Sequence, residues 1–181
     1  MLRLIAFAAS FALMSAAAYA QAPLNKDELI QKLKPAPLTR SLTGNAPTRQ
    51  IVVEKGNEAA IIEAKKDLPK VNIKIQFEFN SAILTPEGRG ALKVLADALK
   101  DPALQGQKFL VGGHTDAVGT AVYNQGLSDA RARSVAEHLT VTYQISPERL
   151  KTIGFGFREL ADPQHPDSGE NRRVEIVTLP N

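Results

Sequence analysis

The chain has 181 residues, and none of them is cysteine or tryptophan. Without cysteine there is no disulfide framework, no thiolate zinc site and no thiol nucleophile. Aromatic residues make up only 6% of the chain, whereas the apolar share of 44% and the charged share of 23% are those of a globular protein. The composition therefore excludes a disulfide scaffold, a collagen-like chain and a wholly disordered one.

An excess of positive charge is also missing from most of the chain. The total of +3 is unevenly spread, because residues 71–181 carry twelve Lys and Arg against thirteen Asp and Glu, while residues 21–70 carry nine against six. A protein that holds a phosphate backbone needs clustered positive charge. We therefore expect no nucleic-acid partner.

Long apolar runs are limited to the N-terminus. Arg3 precedes an uncharged stretch from Leu4 to Ala18, and Ala18-Tyr19-Ala20 has the small residues of a cleavage site. This pattern predicts a secretory signal peptide over residues 1–20. The alternative, a membrane anchor, needs about 20 apolar residues. No second run of this kind follows, so we expect no transmembrane segment after cleavage.

Residues 21–70 have the composition of an arm. Asn25 can cap a short apolar-striped helix before Pro35, and Asn57 can cap a second one before Pro69. Isolated helices of this length are marginal in water. We interpret the segment as a semi-ordered arm that is dispensable for the fold. The alternative is a docking helix for a partner protein.

The pattern from residue 71 onwards predicts a single domain over residues 71–181. Residues 71–79 alternate apolar and polar, which predicts a strand, and Thr85-Pro86 starts a helix. A second helix is predicted from the apolar spacing of Ala132, Val135, Ala136 and Leu139. Further strands are predicted at 108–111, 150–157 and 173–179. The order βαβαβ-β predicts an α/β (α+β) two-layer sandwich with a small mixed four-stranded sheet and helices on one face. The last strand is expected to be antiparallel.

The densest polar run, Gly112 to Gly119, lies at the end of the second predicted strand, where α/β sheets place ligands. It holds the hydroxyl of Thr115 and the carboxylate of Asp116. Arg131, on the following helix, can reach the same loop. A carboxylate and a guanidinium that face one pocket suit a zwitterion, since one takes an ammonium and the other a carboxylate. The alternative is a structural Asp116–Arg131 salt bridge.

Five separated motifs resemble the OmpA-like peptidoglycan-binding domain over residues 71–179. They occur in the family's order and with its spacings: Phe77-Glu78-Phe79-Asn80, Gly113-His114-Thr115-Asp116-x-x-Gly119, Tyr123-Asn124-x-x-Leu127-Ser128-x-x-Arg131-Ala132, Gly154-x-Gly156 and Asn171-Arg172-Arg173-Val174-Glu175. The chain has no lipobox cysteine, unlike the lipid-anchored members of the family.

The resemblance implies noncovalent binding of peptidoglycan through the diaminopimelate residue of its stem peptide. It also implies a periplasmic protein of a Gram-negative envelope, with peripheral outer-membrane association. In that family the aspartate matching Asp116 holds the diaminopimelate ammonium, and the arginine matching Arg131 holds its carboxylate. The resemblance also implies a pocket lined by Asn80, Asn124 and Leu127, with Thr115 and Ser128 as neighbours.

Other chemistries have weaker support in the sequence. Glu78 and Asp116 could form the carboxylate pair of a cell-wall hydrolase, but nothing positions a nucleophile, so we expect no enzyme and no cofactor. His114 has no second ligand at metal-binding spacing, and we interpret it as structural. Asn171 is expected to close a loop against the binding site, and Arg172-Arg173 to serve packing and ion pairs.

Overall fold

A computed structural model describes residues 24–35 and 51–180. The predicted signal peptide, residues 21–23 and 36–50 of the predicted arm, and Asn181 lie outside the described residues. The helices and strands are α1 (Lys26–Leu33), α2 (Glu58–Ala64), β1 (Lys70–Ile73), α3 (Pro86–Leu99), β2 (Lys108–His114), α4 (Ala121–Tyr143), β3 (Leu150–Gly156) and β4 (Val174–Leu179).

The strands form one mixed sheet in the order β1-β4-β2-β3. β2 and β3 are parallel, whereas β4 is antiparallel to both of its neighbours, β1 and β2. The last strand thus inserts between the first and the second. The α/β fold with a small mixed four-stranded sheet is confirmed, as is the antiparallel last strand.

The first strand is shorter than its alternating pattern predicts. β1 ends at Ile73, which pairs with Val174 at the start of β4. Beyond that point the chain pairs with no strand among the described residues, and Phe77 makes an isolated bridge with Leu84. The segment from residue 74 to residue 84 therefore leaves the sheet and can line a site beside it.

Helix α3 begins where the sequence predicts, and both α3 and α4 have a threonine N-cap. The hydroxyl of Thr85 accepts a hydrogen bond from Gly88 N at 3.1 Å, and that of Thr120 accepts one from Tyr123 N at 3.2 Å. Both helices pack their apolar residues against one face of the sheet. Within residues 24–35 and 51–180, no helix combines the length and the apolar character needed to cross a membrane.

The opposite face of the sheet is covered by the predicted arm. Successive side chains of a strand point to opposite faces of the sheet. This second face therefore has its own buried apolar residues, including Leu110, Phe155 and Val177. Ile61 of α2 is buried against this set. Helices are therefore not confined to one face, because a sheet with two apolar faces needs cover on both.

Helix α1 belongs to the main core. Its Leu29 and Leu33 are buried beside α3 and β1, and Thr178 of β4 donates a buried hydrogen bond of 2.6 Å to the carbonyl of Leu33. Residues 24–35 and 51–70 thus hold packed helices within the segment for which the sequence predicted a semi-ordered arm, since the apolar stripes that looked marginal alone are buried by the sheet. The domain boundary at residue 71 stays a prediction.

A capping variant tests whether α1 is part of the cooperative fold. The side chain of Asn25 accepts a hydrogen bond of 2.9 Å from Asp27 N. We expect Asn25→Ala to cost about 1 kcal/mol and to lower the melting temperature by roughly 2–4 °C, whereas Asn25→Ser keeps the cap and serves as the control. If both variants melt like the parent, α1 unfolds separately from the sheet.

Candidate functional site

A cleft of about 780 Å³ lies where β2 ends and α4 begins. It is bounded by the segment after β1, by the loop from residue 115 to residue 120, by the first turns of α4 and by the loop before β4. Six of the seven site residues predicted from the sequence line this cleft: Asn80, Thr115, Asp116, Asn124, Leu127 and Arg131.

Two glycines bring α4 close enough to form the cleft. A Cβ at Gly113 would lie 2.2 Å from the carbonyl oxygen of Ser128, and a Cβ at Gly154 would lie 2.4 Å from the backbone nitrogen of Asp129. No side chain fits at either position. The glycines of β2 and β3 therefore let α4 lie directly on the sheet, with its first turns beside the loop after His114.

Ser128 is the seventh predicted site residue, and it does not reach the cleft. It is fully buried, and its hydroxyl accepts a hydrogen bond from Gly156 N and donates one to the carbonyl of Gln125, both at 2.9 Å. Ser128 was predicted as a neighbour of the pocket, and its position in the motif is explained by this join between α4 and β3.

The carboxylate of Asp116 is largely buried in the cleft, with 13% of the side chain exposed. One oxygen accepts a hydrogen bond of 3.2 Å from Val118 N. The other accepts one of 2.6 Å from the guanidinium of Arg172. Asp116 therefore has an arginine partner, but it is Arg172 and not the Arg131 that the salt-bridge alternative named.

Arg131 faces the same cleft from α4. Its Nε donates to the carbonyl of Ser81 at 3.0 Å, and its guanidinium carbon lies 5.0 Å from the ring centre of Phe77. Burial, and then the nearby charge of Arg172, lower the pKa of Arg131, but arginine stays charged. Among the described residues its two terminal nitrogens have no hydrogen-bond partner and no carboxylate pairs with it.

The remaining predicted residues shape the cleft. Asn80 adopts a left-handed φ of 54° and accepts a hydrogen bond from the hydroxyl of Tyr123. Asn124 donates to the carbonyl of Val118 at 2.9 Å, which fixes the loop that carries Asp116. The hydroxyl of Thr115 is buried and has no hydrogen-bond partner among the described residues.

The loop before β4 contributes residues that sequence reasoning did not assign to the site. Asp167 and Arg172 line the cleft. The prediction that Asn171 closes this loop is confirmed, because its buried amide donates to the carbonyls of His165 at 2.9 Å and Pro166 at 3.2 Å. The motif around Asn171 was the signal that could have brought Arg172 into the site.

The cleft has an exposed apolar rim, which the strand pattern in the sequence did not predict. The alternation in residues 71–79 puts Phe79 on the buried face, yet Phe79 is 98% exposed because the strand ends six residues earlier. Val118 and Tyr123 also line the cleft and are exposed.

A second polar cluster lies under α2, on the other face of the sheet. The ammonium of Lys65 is fully buried, lies 2.7 Å from Glu159 and contacts Glu175. His114 Nε2 is 3.7 Å from Glu175. Ligand-type atoms of His114, Glu159 and Glu175 lie within 4.8 Å of one another, a grouping that sequence spacing did not reveal. The cation that they surround in this structure is Lys65.

The pKa values in this cluster follow from burial and from Lys65. Burial alone would raise the pKa of Glu175, but the nearby His114 ring and the hydrogen bond and charge of Lys65 outweigh it and lower the pKa to about 2. Burial lowers the pKa of His114. At neutral pH the cluster therefore holds a neutral His114 and an ionised Glu175 that depends on Lys65.

Comparison with known proteins gives a family match and curated relatives. Residues 76–174 match the model of the OmpA family. The peptidoglycan-associated lipoprotein of Pseudomonas aeruginosa is 37% identical over 102 residues, which cover 55% of this chain and 58% of the relative. Outer membrane protein A of Shigella flexneri is 36% identical over 106 residues, which cover 55% of this chain and 30% of the relative. The chain thus spans less than two thirds of either relative.

Solved structures have the same fold. The OmpA-like domain of FopA1 from Francisella tularensis is 26% identical, with a TM-score of 0.51 over 60% of this chain and 70% of that one. The cell wall anchor of the T6SS from Pseudomonas aeruginosa is 30% identical, with a TM-score of 0.50 over 68% of this chain and 94% of that one.

Proposed function

Because the chain belongs to the OmpA family, we propose that it binds peptidoglycan noncovalently and so docks or anchors at the cell wall. The ligand is the diaminopimelate residue of the stem peptide. Its free amine and free carboxylate share one carbon, and the cleft offers a carboxylate, Asp116, and a guanidinium, Arg131. In this proposal Asp116 holds the ammonium and Arg131 holds the carboxylate.

The observation that carries the proposal is the state of Arg131. Its guanidinium is half-buried on Phe77 and bonded through Nε to a backbone carbonyl, while its terminal nitrogens lack a partner among the described residues. A fixed guanidinium with two free parallel donors suits a carboxylate. A purely structural arginine would be expected to use those donors within the protein.

The other cleft residues support a small polar ligand. The buried hydroxyl of Thr115 lacks a partner within residues 24–35 and 51–180, and a group of this kind gains a hydrogen bond when a polar ligand enters. Asn80 and Leu127 line the cleft beside it, and Asn124 holds the loop in place. We assign Asn80, Thr115 and Leu127 to ligand contact and Asn124 to positioning.

The location follows from the same proposal. A wall-binding protein acts in the periplasm, which agrees with the signal peptide predicted over residues 1–20, and we place it on peptidoglycan, peripherally near the outer membrane. The rival function, a protein-docking arm, loses support for α1 and α2, since their apolar sides contact their own sheet. A hydrolase that used Glu78 and Asp116 is disfavoured by the ion pair of Asp116 with Arg172.

A conservative substitution tests the role of Arg131. Arg131→Lys keeps the charge but loses the two-pronged geometry, so binding to purified sacculi should weaken roughly two- to twelvefold. Asp116→Asn should weaken it as well. Arg133→Lys, at an exposed position on the same helix, is the matched control. If both cleft variants bind sacculi like the parent, the assignment of the cleft is wrong.

A further inference from the structure

The ammonium site assigned to Asp116 is already occupied by a cation of the protein itself. Nη1 of Arg172 lies 2.6 Å from Oδ2 of Asp116, and both residues line the cleft. Oδ1 is engaged by the backbone of Val118. A ligand ammonium that pairs fully with Asp116 must therefore compete with Arg172 for Oδ2.

The backbone of Arg172 lies between two buried residues, whereas its side chain is half-exposed. The neighbours on either side, Asn171 and Arg173, are buried and hydrogen-bonded. The side chain of Arg172 is 51% exposed, and Asp116 is its only ion-pair partner among the described residues. Its guanidinium passes over Gly169, where a Cβ would lie 2.8 Å from Nη2. Release from Asp116 would move the guanidinium towards water at little cost in burial.

Arg131 next to it is held quite differently. It is more buried, its Nε is bonded to Ser81, and its guanidinium stacks on Phe77. The charge of Arg172 lies close enough to Arg131 to lower its pKa. Both guanidiniums line the cleft with Asp116, but only Arg172 is paired with this carboxylate, and its side chain is the more exposed of the two.

We propose that Arg172 is a placeholder cation: it occupies the ammonium subsite of the empty cleft and is displaced when a ligand amine pairs with Asp116. This inference rests on the proposed function. It makes Arg172 an affinity-setting residue that works against binding, because each binding event must break the Asp116–Arg172 pair. The effect concerns the amine alone, so it applies equally to ligands with and without the adjoining carboxylate.

The test compares the parent with Arg172→Gln and Arg172→Lys, using calorimetric titrations with diaminopimelate-type and lysine-type muropeptides. An ion pair that is partly exposed is worth a modest factor, so Arg172→Gln should bind both muropeptides about two- to fivefold more tightly than the parent. Arg172→Lys keeps a competing cation and should stay near the parent. Melting temperatures check that the variants are folded.

A second readout follows Arg172 directly. In NMR spectra, saturating the parent with the diaminopimelate-type muropeptide should move the Arg172 Nε–H signal to its position in Asp116→Asn. Weaker or unchanged muropeptide binding by Arg172→Gln overturns the placeholder role. A selective loss for the diaminopimelate type would make Arg172 a ligand for the carboxylate. If the parent binds neither muropeptide nor sacculi, the proposed function itself fails, which is a different result.

Discussion

Replacing Lys65 with methionine is expected to lower the free energy of unfolding by about 3–5 kcal/mol, because removing one partner leaves a buried charge without compensation. The side chain of Lys65 is fully buried and pairs with Glu159 and with the buried Glu175. Methionine fills a similar volume but carries no charge. The ionised Glu175 would then lack the cation that offsets its burial.

The pH dependence separates this cause from a general packing defect. In the parent, the pKa of Glu175 is lowered from its ordinary 4.5 to about 2. Its contribution to stability is therefore present above pH 4.5 and is lost as the pH falls towards 2. In Lys65→Met burial raises the pKa of Glu175, so the carboxyl takes up a proton at a higher pH. The deficit against the parent should be largest near neutral pH and should shrink in acid.

Urea unfolding of the parent and the variant at several pH values measures this difference. Burial, and in part the charge of Lys65, lowers the pKa of His114. The stability that depends on neutral His114 is therefore lost as the pH falls below 6.5, and this loss should be smaller in Lys65→Met, which also narrows the deficit in acid. Lys66→Met removes a neighbouring exposed lysine paired with Glu63 and should change stability by less than 1 kcal/mol. A loss for Lys65→Met as small as the control's would contradict the buried-pair account.

Most helices and strands could be predicted because hydrophobic periodicity and helix capping depend on residues that are close together in the sequence. Thr85 and Pro86 fix the start of α3 whatever surrounds them. The strand after residue 71 shows the limit of such reasoning, because its alternation continues to Phe79 while the pairing ends at Ile73. Pairing depends on where β4 begins, which the local pattern does not contain.

The part of the candidate site formed by the loop after β2 and by α4 could be predicted from the sequence. Asp116 and Arg131 are fifteen residues apart, and the packing of α4 on β2 brings them to one cleft. Arg172 comes from a loop whose course is set by the amide of Asn171, so only the tertiary structure shows its pairing with Asp116. Lys65 was missed because a lysine in a short, polar segment is normally a solvated residue.

The second large effect concerns the ligand. A lysine-type stem peptide presents the amine but lacks the adjoining carboxylate, so it would leave the half-buried Arg131 without its anion. Losing one charge-assisted partner costs about 1.5–3 kcal/mol, or roughly 10- to 150-fold in affinity. Amidation of the diaminopimelate carboxylate removes the charge and nearly preserves the shape, so it should weaken binding in the same direction. The ammonium remains in all three ligands, which isolates the contribution of Arg131.

The most direct test of wall recognition by this cleft is a calorimetric titration of the whole protein with three muropeptides that differ only at this position: diaminopimelate-type, amidated diaminopimelate-type and lysine-type. The account predicts tightest binding for the free carboxylate, with both other ligands weaker by about 10- to 150-fold. In Arg131→Lys the difference in affinity between the diaminopimelate-type muropeptide and the other two ligands should become smaller. Equal affinity of the parent for all three ligands would contradict a contact between Arg131 and the diaminopimelate carboxylate, even if the protein still bound cell walls.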